Sequence, residues 1–169
     1  MLTGVAGRAA ALGHRLTLVM RQWQATVQWS GGQPVGAQLV VAVDSLEVLR
    51  GDGGVKGLSG PEKTLVRSNA LKTLNAERFP QICFTADTID QTQDGYLLGG
   101  VLQIHGVSRD QVINLRTKDC GDSWQMLSQC VVRQSNFGIK PYSLLMGSLR
   151  VADQVLVSWT ASHIKDDVQ

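Results

Sequence analysis

Charge is scarce in this chain. Lys, Arg, Asp and Glu make up 18% of its 169 residues, against 43% hydrophobic. That balance suits one globular domain, 1–169, long enough to bury a real core. Sixteen basic and 14 acidic residues leave a net charge of +2. The bases stand singly along the chain, so the footprint of a nucleic-acid binder is missing. Cysteine is also sparse. Cys83, Cys120 and Cys130 form no CxxC pair, and an odd number so widely spaced argues against a disulfide framework and against a structural zinc site. Cys83 and Cys130 fall inside apolar strands, where a free thiol behaves as a small buried hydrophobe. No stretch approaches the roughly 20 apolar residues of a membrane-spanning helix. Ala9 to Leu12 is too short for the core of a signal peptide, and His14 and Arg15 interrupt it. As given, the sequence reads as soluble and cytoplasmic.

Catalytic patterns are missing as well. His14, His105 and His163 lie on separate elements without HxH or HExxH spacing, so no metal and no cofactor is expected. No GxSxG, GxGxxG or Walker pattern occurs. Nothing places Cys83 or Cys130 beside a histidine as a nucleophile. The chain does not read as an enzyme.

What the chain has is alternation. Trp23, Ala25, Val27 and Trp29 alternate with Gln22, Gln24, Thr26 and Gln28, which predicts a strand with one wet and one buried face. Ser30 to Pro34 is a turn, and Val35 to Leu49 the next strand, interrupted at Asp44-Ser45. Arg50 to Gly60 is a loop. Ser59, Pro61 and Glu62 form a helix start with a capping box, and the helix runs to about Leu74. Its apolar stripe is partial, so it packs outside the sheet or over its open end. Strands follow at Gln81 to Ile89, with Ile82 and Phe84 on one face, and at Tyr96 to His105, with Leu102 and Ile104 on one face. Asp94-Gly95 marks the hairpin between them. Gly99-Gly100 marks a bulge or sharp bend. Gly106 to Asp110 reads as a turn, Gln111 to Lys118 as a strand with Val112 and either Ile113 or Leu115 inward, Trp124 to Arg133 as another, and Leu149 to Ala161 as the last. Seven or eight strands spaced as antiparallel hairpins close most readily into a barrel. Ser135 to Ala152 stands apart. It is irregular yet apolar, and reads either as a lid held by Phe137, Ile139, Tyr142, Leu144, Leu145 and Met146, or as a short helix from Tyr142 to Ser148.

Several of these segments carry a resemblance. Leu74 to Phe84 resembles the helix-to-strand passage of the YceI-like proteins, with its Tyr/Phe-Pro-x-Ile-x-Phe strand. Gly100 to Arg109 is similar to that family's G-x-L-T-I-x-G-V-T hairpin. Arg133 to Ile139 is similar to its R-S-D/N-F-G-I element, with Gln134 inserted or substituted. Val41 to Leu46 and Gly13 to Leu16 fit two further elements. Phe137 to Ser143 with Met146-Gly147 suggests an actinobacterial-like branch. The resemblance implies a lipocalin-like antiparallel β-barrel of about eight strands, all-β, with one main helix and a short second helix or lid. It implies a tunnel that holds a long isoprenoid, quinone or fatty chain, and often export and a homodimer. The chain departs from the family in showing no export signal and no short first strand before Gly4, which leaves one barrel edge unpaired.

Such a tunnel would be lined by Trp23, Val27, Trp29, Leu39, Val41, Ile82, Phe84, Leu102, Ile104, Met126, Phe137, Tyr142 and Met146. Each alone reads as core; together they read as a wall. A polar headgroup would meet His14, Arg133, Asn136, Lys140 or Tyr142 near the mouth. The rival reading is a filled, ligand-free barrel acting as a protein-interaction or stress-related module without catalysis.

Overall fold

The structure, a computed structural model, describes residues 1–54 and 56–165, together with all side chains among them except that of Leu145. The expected role of Leu145 and the end of the polar tail, 166–169, therefore lie outside the described residues. The strands in chain order are β1 (Leu2–Ala6), β2 (His14–Met20), β3 (Trp23–Ser30), β4 (Gln33–Ala42), β5 (Leu46–Gly53), β6 (Gln81–Thr92), β7 (Gly95–Ile104), β8 (Val107–Asp119), β9 (Ser123–Arg133), β10 (Ser143–Leu144) and β11 (Leu149–Ile164). One α-helix, α1 (Gly60–Thr73), separates β5 from β6.

All the pairings are antiparallel, and the sheet runs β3-β4-β6-β7-β8-β9-β11-β1-β2-β5. Its two ends belong to one long hairpin. β3 pairs with β4 from Ser30↔Gln33 to Trp23↔Val41, and β2 pairs with β5 from Met20↔Leu46 to His14↔Gly53. The break between these halves is bridged by the Ala42 N–H donating to the Gln22 carbonyl and the Arg21 N–H to the Ser45 carbonyl. A 3-10 turn at Val43–Ser45 takes up the extra residues. Counted this way, seven long strands and the short β1 curl around one core, in agreement with the all-β, lipocalin-like architecture expected. The hairpin turns at Gly31-Gly32, both at positive φ, which is the backbone a two-residue loop requires.

Local signals account for the helix. The Ser59 N–H and hydroxyl both donate to the Glu62 carboxylate, closing the expected capping box. These bonds hold the Glu62 carboxyl below its ordinary pKa. α1 lies against β5, where Arg67 donates to the Leu46 carbonyl and Lys63 to the Leu49 carbonyl. Side-chain donors from the helix thus cap a strand edge that would otherwise be open.

Several expectations are corrected. A first strand is present: β1 pairs with β11 on one side and β2 on the other, so the N-terminal edge is not unpaired. The region after Leu49 is strand as far as Gly53. The turn after β7 falls at His105-Gly106, since Ile104 pairs with Val107. β8 therefore starts four residues early, and Val112 points outward, 58% exposed. The last strand runs on to Ile164. Tyr142 to Ser148 is not an α-helix. Ser143–Leu144 bridges to β11, and a 3-10 turn follows at Leu145–Gly147.

Candidate ligand-binding face

Cross-strand partners share a face of the sheet, so the register sorts inner from outer side chains. The core is Phe84, Ala86, Leu98, Leu102, Ile104, Phe137 and Ile139. Phe84 sits opposite Leu39 on one side and Leu102 on the other. Leu39 in turn sits opposite Ala25, and Val41 opposite Trp23. Trp23, Ala25 and Val27 therefore continue the inner face of β4 and β6, and Trp29 follows in the alternation of β3 beyond a register shift that sets it opposite Pro34. They are not buried. Trp23 is 42%, Val27 49% and Trp29 63% exposed. The fully buried face expected for this strand is thus absent: among the described residues Trp159 meets Trp23, and the rest of the row is left open. Among the described residues the free edge of β3 has no strand partner and no helix against it, in contrast to that of β5.

The expected lining residues fall into four groups. Phe84, Leu102, Ile104 and Phe137 are buried, with Leu39 and Ile82 packed against them. Val41 and Met126 are half-buried on the same face, Met126 opposite Thr117 and Ala161. Trp23, Val27 and Trp29 extend this surface outward along β3. Tyr142 and Met146 lie apart from these, on the segment that bridges to β11 at Ser143↔Arg150 and Leu144↔Leu149. Met146 is fully exposed, at a left-handed φ of 53°. His14 stands at the start of β2, its Nε2 2.7 Å from the Lys56 carbonyl.

The wall has two seams. β1 pairs with β11 only as far as Leu2↔Leu156, whereas β11 continues to Ile164. Beyond that point β3 and β11 share no hydrogen bonds, and Trp23 meets Trp159. The Trp159 Nε1–H is buried there without an acceptor among the described residues. The second seam separates β8 from β9. Their ladder holds from Asp119↔Trp124 to Leu115↔Ser128 and then stops. Past it opens a cleft of about 420 Å³ whose lining includes Arg109, Gln111, Val132, Arg133, Asn136 and Phe137. Of the expected headgroup residues, Arg133 and Asn136 lie here. Lys140 is exposed and does not line it. The segment beside the cleft is pinned: the Ser135 N–H and hydroxyl donate to the two Asp153 carboxylate oxygens at 2.8 and 2.7 Å, and the Gln134 amide to the Ala152 carbonyl. These bonds hold the Asp153 carboxyl below its ordinary pKa.

Sequence reasoning missed Arg109. Placing the turn at Gly106 to Asp110 hid it, although Val107, Arg109, Gln111, Ile113 and Leu115 alternate as one strand face.

Among the described residues no group of His, Cys, Asp and Glu is arranged to hold a metal ion, and no helix is long and apolar enough to cross a membrane. The three cysteines are free.

A curled antiparallel sheet with one helix and an apolar inner face defines a lipocalin-like protein. More particularly, the chain belongs to the YceI-like domain family, whose pattern it matches over residues 5–163. No curated protein matches it. Among solved structures it is similar to BcnA of Burkholderia cenocepacia, with a TM-score of 0.65 and 16% identity over 86% of each chain. It is also similar to the YCEI protein of Campylobacter jejuni, with a TM-score of 0.66 and 12% identity over 89% of this chain and 85% of that one. At such identities the likeness establishes the fold.

Proposed function

We propose that this protein binds a long apolar molecule, an isoprenoid, quinone or fatty chain, along its inner face, and carries it without catalysis. One observation supports this above the others: Trp23, Val27 and Trp29 stand exposed in a row on the face that leads into the core. Grouped exposed apolar side chains mark a surface that something covers. An extended hydrocarbon chain fits that row, and its burial gains about 0.8 kcal/mol per CH₂. Membership of the YceI-like family supports the same reading.

Native mass spectrometry of freshly purified protein, followed by solvent extraction, tests it. A discrete adduct that extracts as a long-chain lipid or quinone supports the carrier. A bare mass that persists after incubation with such lipids, with no affinity in solution, refutes it.

A second reading has an observation of its own. Among the described residues β3 pairs only with β4, so its other edge presents backbone groups that suit a partner strand, including that of a second copy. The same spectra report it as a dimer or complex without lipid.

A further inference from the structure

Arg109 stands directly opposite Leu102, a buried core residue, in the β7–β8 ladder. It is the one charged side chain among the described residues that the strand register sets opposite a buried core residue. Gln111, two positions on, shares its face, opposite Gly100. A guanidinium on an apolar face costs free energy unless it reaches water or a partner. Arg109 is exposed because the wall is open beside it, in the cleft between β8 and β9. It makes no ion pair among the described residues, and its one intramolecular hydrogen bond goes from Nη1 to the neighbouring Ser108 carbonyl. The fork is therefore available. The cleft's carboxylate, Asp110, belongs to the outer face, since its cross-strand partner Val101 is exposed. Arg133 is on the outer face too, and Phe137 and Val132 supply apolar surface between the cleft and the core.

We infer that Arg109 anchors an anionic headgroup, a carboxylate or a phosphate, of an amphiphile whose tail lies along the inner face. This rests on the carrier reading and narrows its ligand to anionic amphiphiles. Chemistry favours the pairing. Arg presents parallel N–H donors that match carboxylate or phosphate oxygens, and such charge-assisted bonds are the strong ones. Gln111 adds an amide oxygen for a protonated or hydroxyl-bearing head, its Nε2 being engaged with the Val112 carbonyl. The opening in the wall lets the head keep part of its hydration while the tail is buried.

The test uses two matched pairs on the intact protein, below their micelle concentrations: oleate against oleyl alcohol, and geranylgeranyl phosphate against geranylgeraniol. Wild-type protein prefers at least one anion over its alcohol by about tenfold, the scale of one charge-assisted hydrogen bond. Which pair shows the preference identifies carboxylate or phosphate. Arg109→Gln brings the anion down to the alcohol, leaves the alcohol's affinity unchanged, and melts at the wild-type temperature because Arg109 is exposed. Arg116→Gln, the same charge change on the outer face of β8, keeps the preference. Equal binding of anion and alcohol by the wild type overturns the inference and leaves the carrier standing. So does a preference that survives Arg109→Gln. If neither alcohol nor anion binds, the carrier reading falls and this inference falls with it.

Discussion

Trp23 on β3 and Trp159 on β11 meet edge to face, with ring centroids 5.3 Å apart and planes at 71°. They do so where no hydrogen bond joins their strands. Between β11 and the β2–β3 strand lies β1, which is too short to reach that far. Side chains alone hold the seam. Aromatic pairs in this geometry contribute roughly 0.5–1.5 kcal/mol beyond the area they bury.

Trp23→Ala therefore separates binding from folding. Trp23 is nearly half exposed, so the melting temperature falls little, by an amount equivalent to about 1 kcal/mol. Affinity for a long-chain alcohol falls about tenfold as apolar wall is lost. Unchanged affinity in a folded variant would move the ligand away from β3.

Phe84→Ala behaves differently. The residue is buried between Leu39 and Leu102 at the centre of the core. Its truncation costs about 3–5 kcal/mol, read from the denaturant midpoint. Any loss of binding in that variant reports damage to the fold rather than a missing contact.

Gly100→Ala tests the β6–β7 bulge. The register shifts between Ala86 and Thr88, and a Cβ on Gly100 would lie 2.0 Å from the Thr85 carbonyl oxygen. The backbone of β6 has to move. The expected loss is about 1–3 kcal/mol. A variant as stable as the wild type would show that the bulge has room.

Acid should loosen the Ser135–Asp153 clasp. Folding lowers the Asp153 pKa through the side-chain and then the backbone hydrogen bond from Ser135. A depressed carboxylate contributes stability above its unfolded pKa and loses it as pH falls through the folded value. The effect is confined to pH below the ordinary aspartate range, about 3.9. Melts of Asp153→Asn against wild type should differ at neutral pH and converge in acid. A constant difference down to pH 2 would show that the charge plays no part.

Thiol chemistry should rank the cysteines. Cys120 is exposed in a turn, whereas burial raises the Cys130 thiol pKa. Alkylation followed by mass spectrometry should find three free thiols, with Cys120 modified before Cys130. An intramolecular disulfide in protein handled without reductant would contradict the fold.

Much of this architecture is written in local patterns. Period two along Trp23 to Trp29 and Gln81 to Ile89 announces strands, because alternate side chains must leave opposite faces of a pleated backbone. Ser59, Pro61 and Glu62 announce the helix start, because each satisfies an orphan group within three residues of itself. Family motifs spread from Gly13 to Ile139 identify the fold because they mark its turns and strand ends. The inner position of Phe84, Leu102 and Ile104 also follows from alternation. What the sequence left open was decided by partners distant in the chain. β1 is a strand only because β2 and β11 flank it. The Trp row is exposed because α1 covers the edge of β5, whereas among the described residues β3 has no such cover beyond the Trp23–Trp159 contact. Arg109 faces inward because the turn takes His105-Gly106, and whether β8 runs from Val107 or Gln111 depends on its register with β7. The cleft beside it exists because the β8–β9 ladder stops at Leu115↔Ser128 while both strands go on. Strand periodicity fixes which side chains share a face, but only the packed sheet fixes which face has a neighbour.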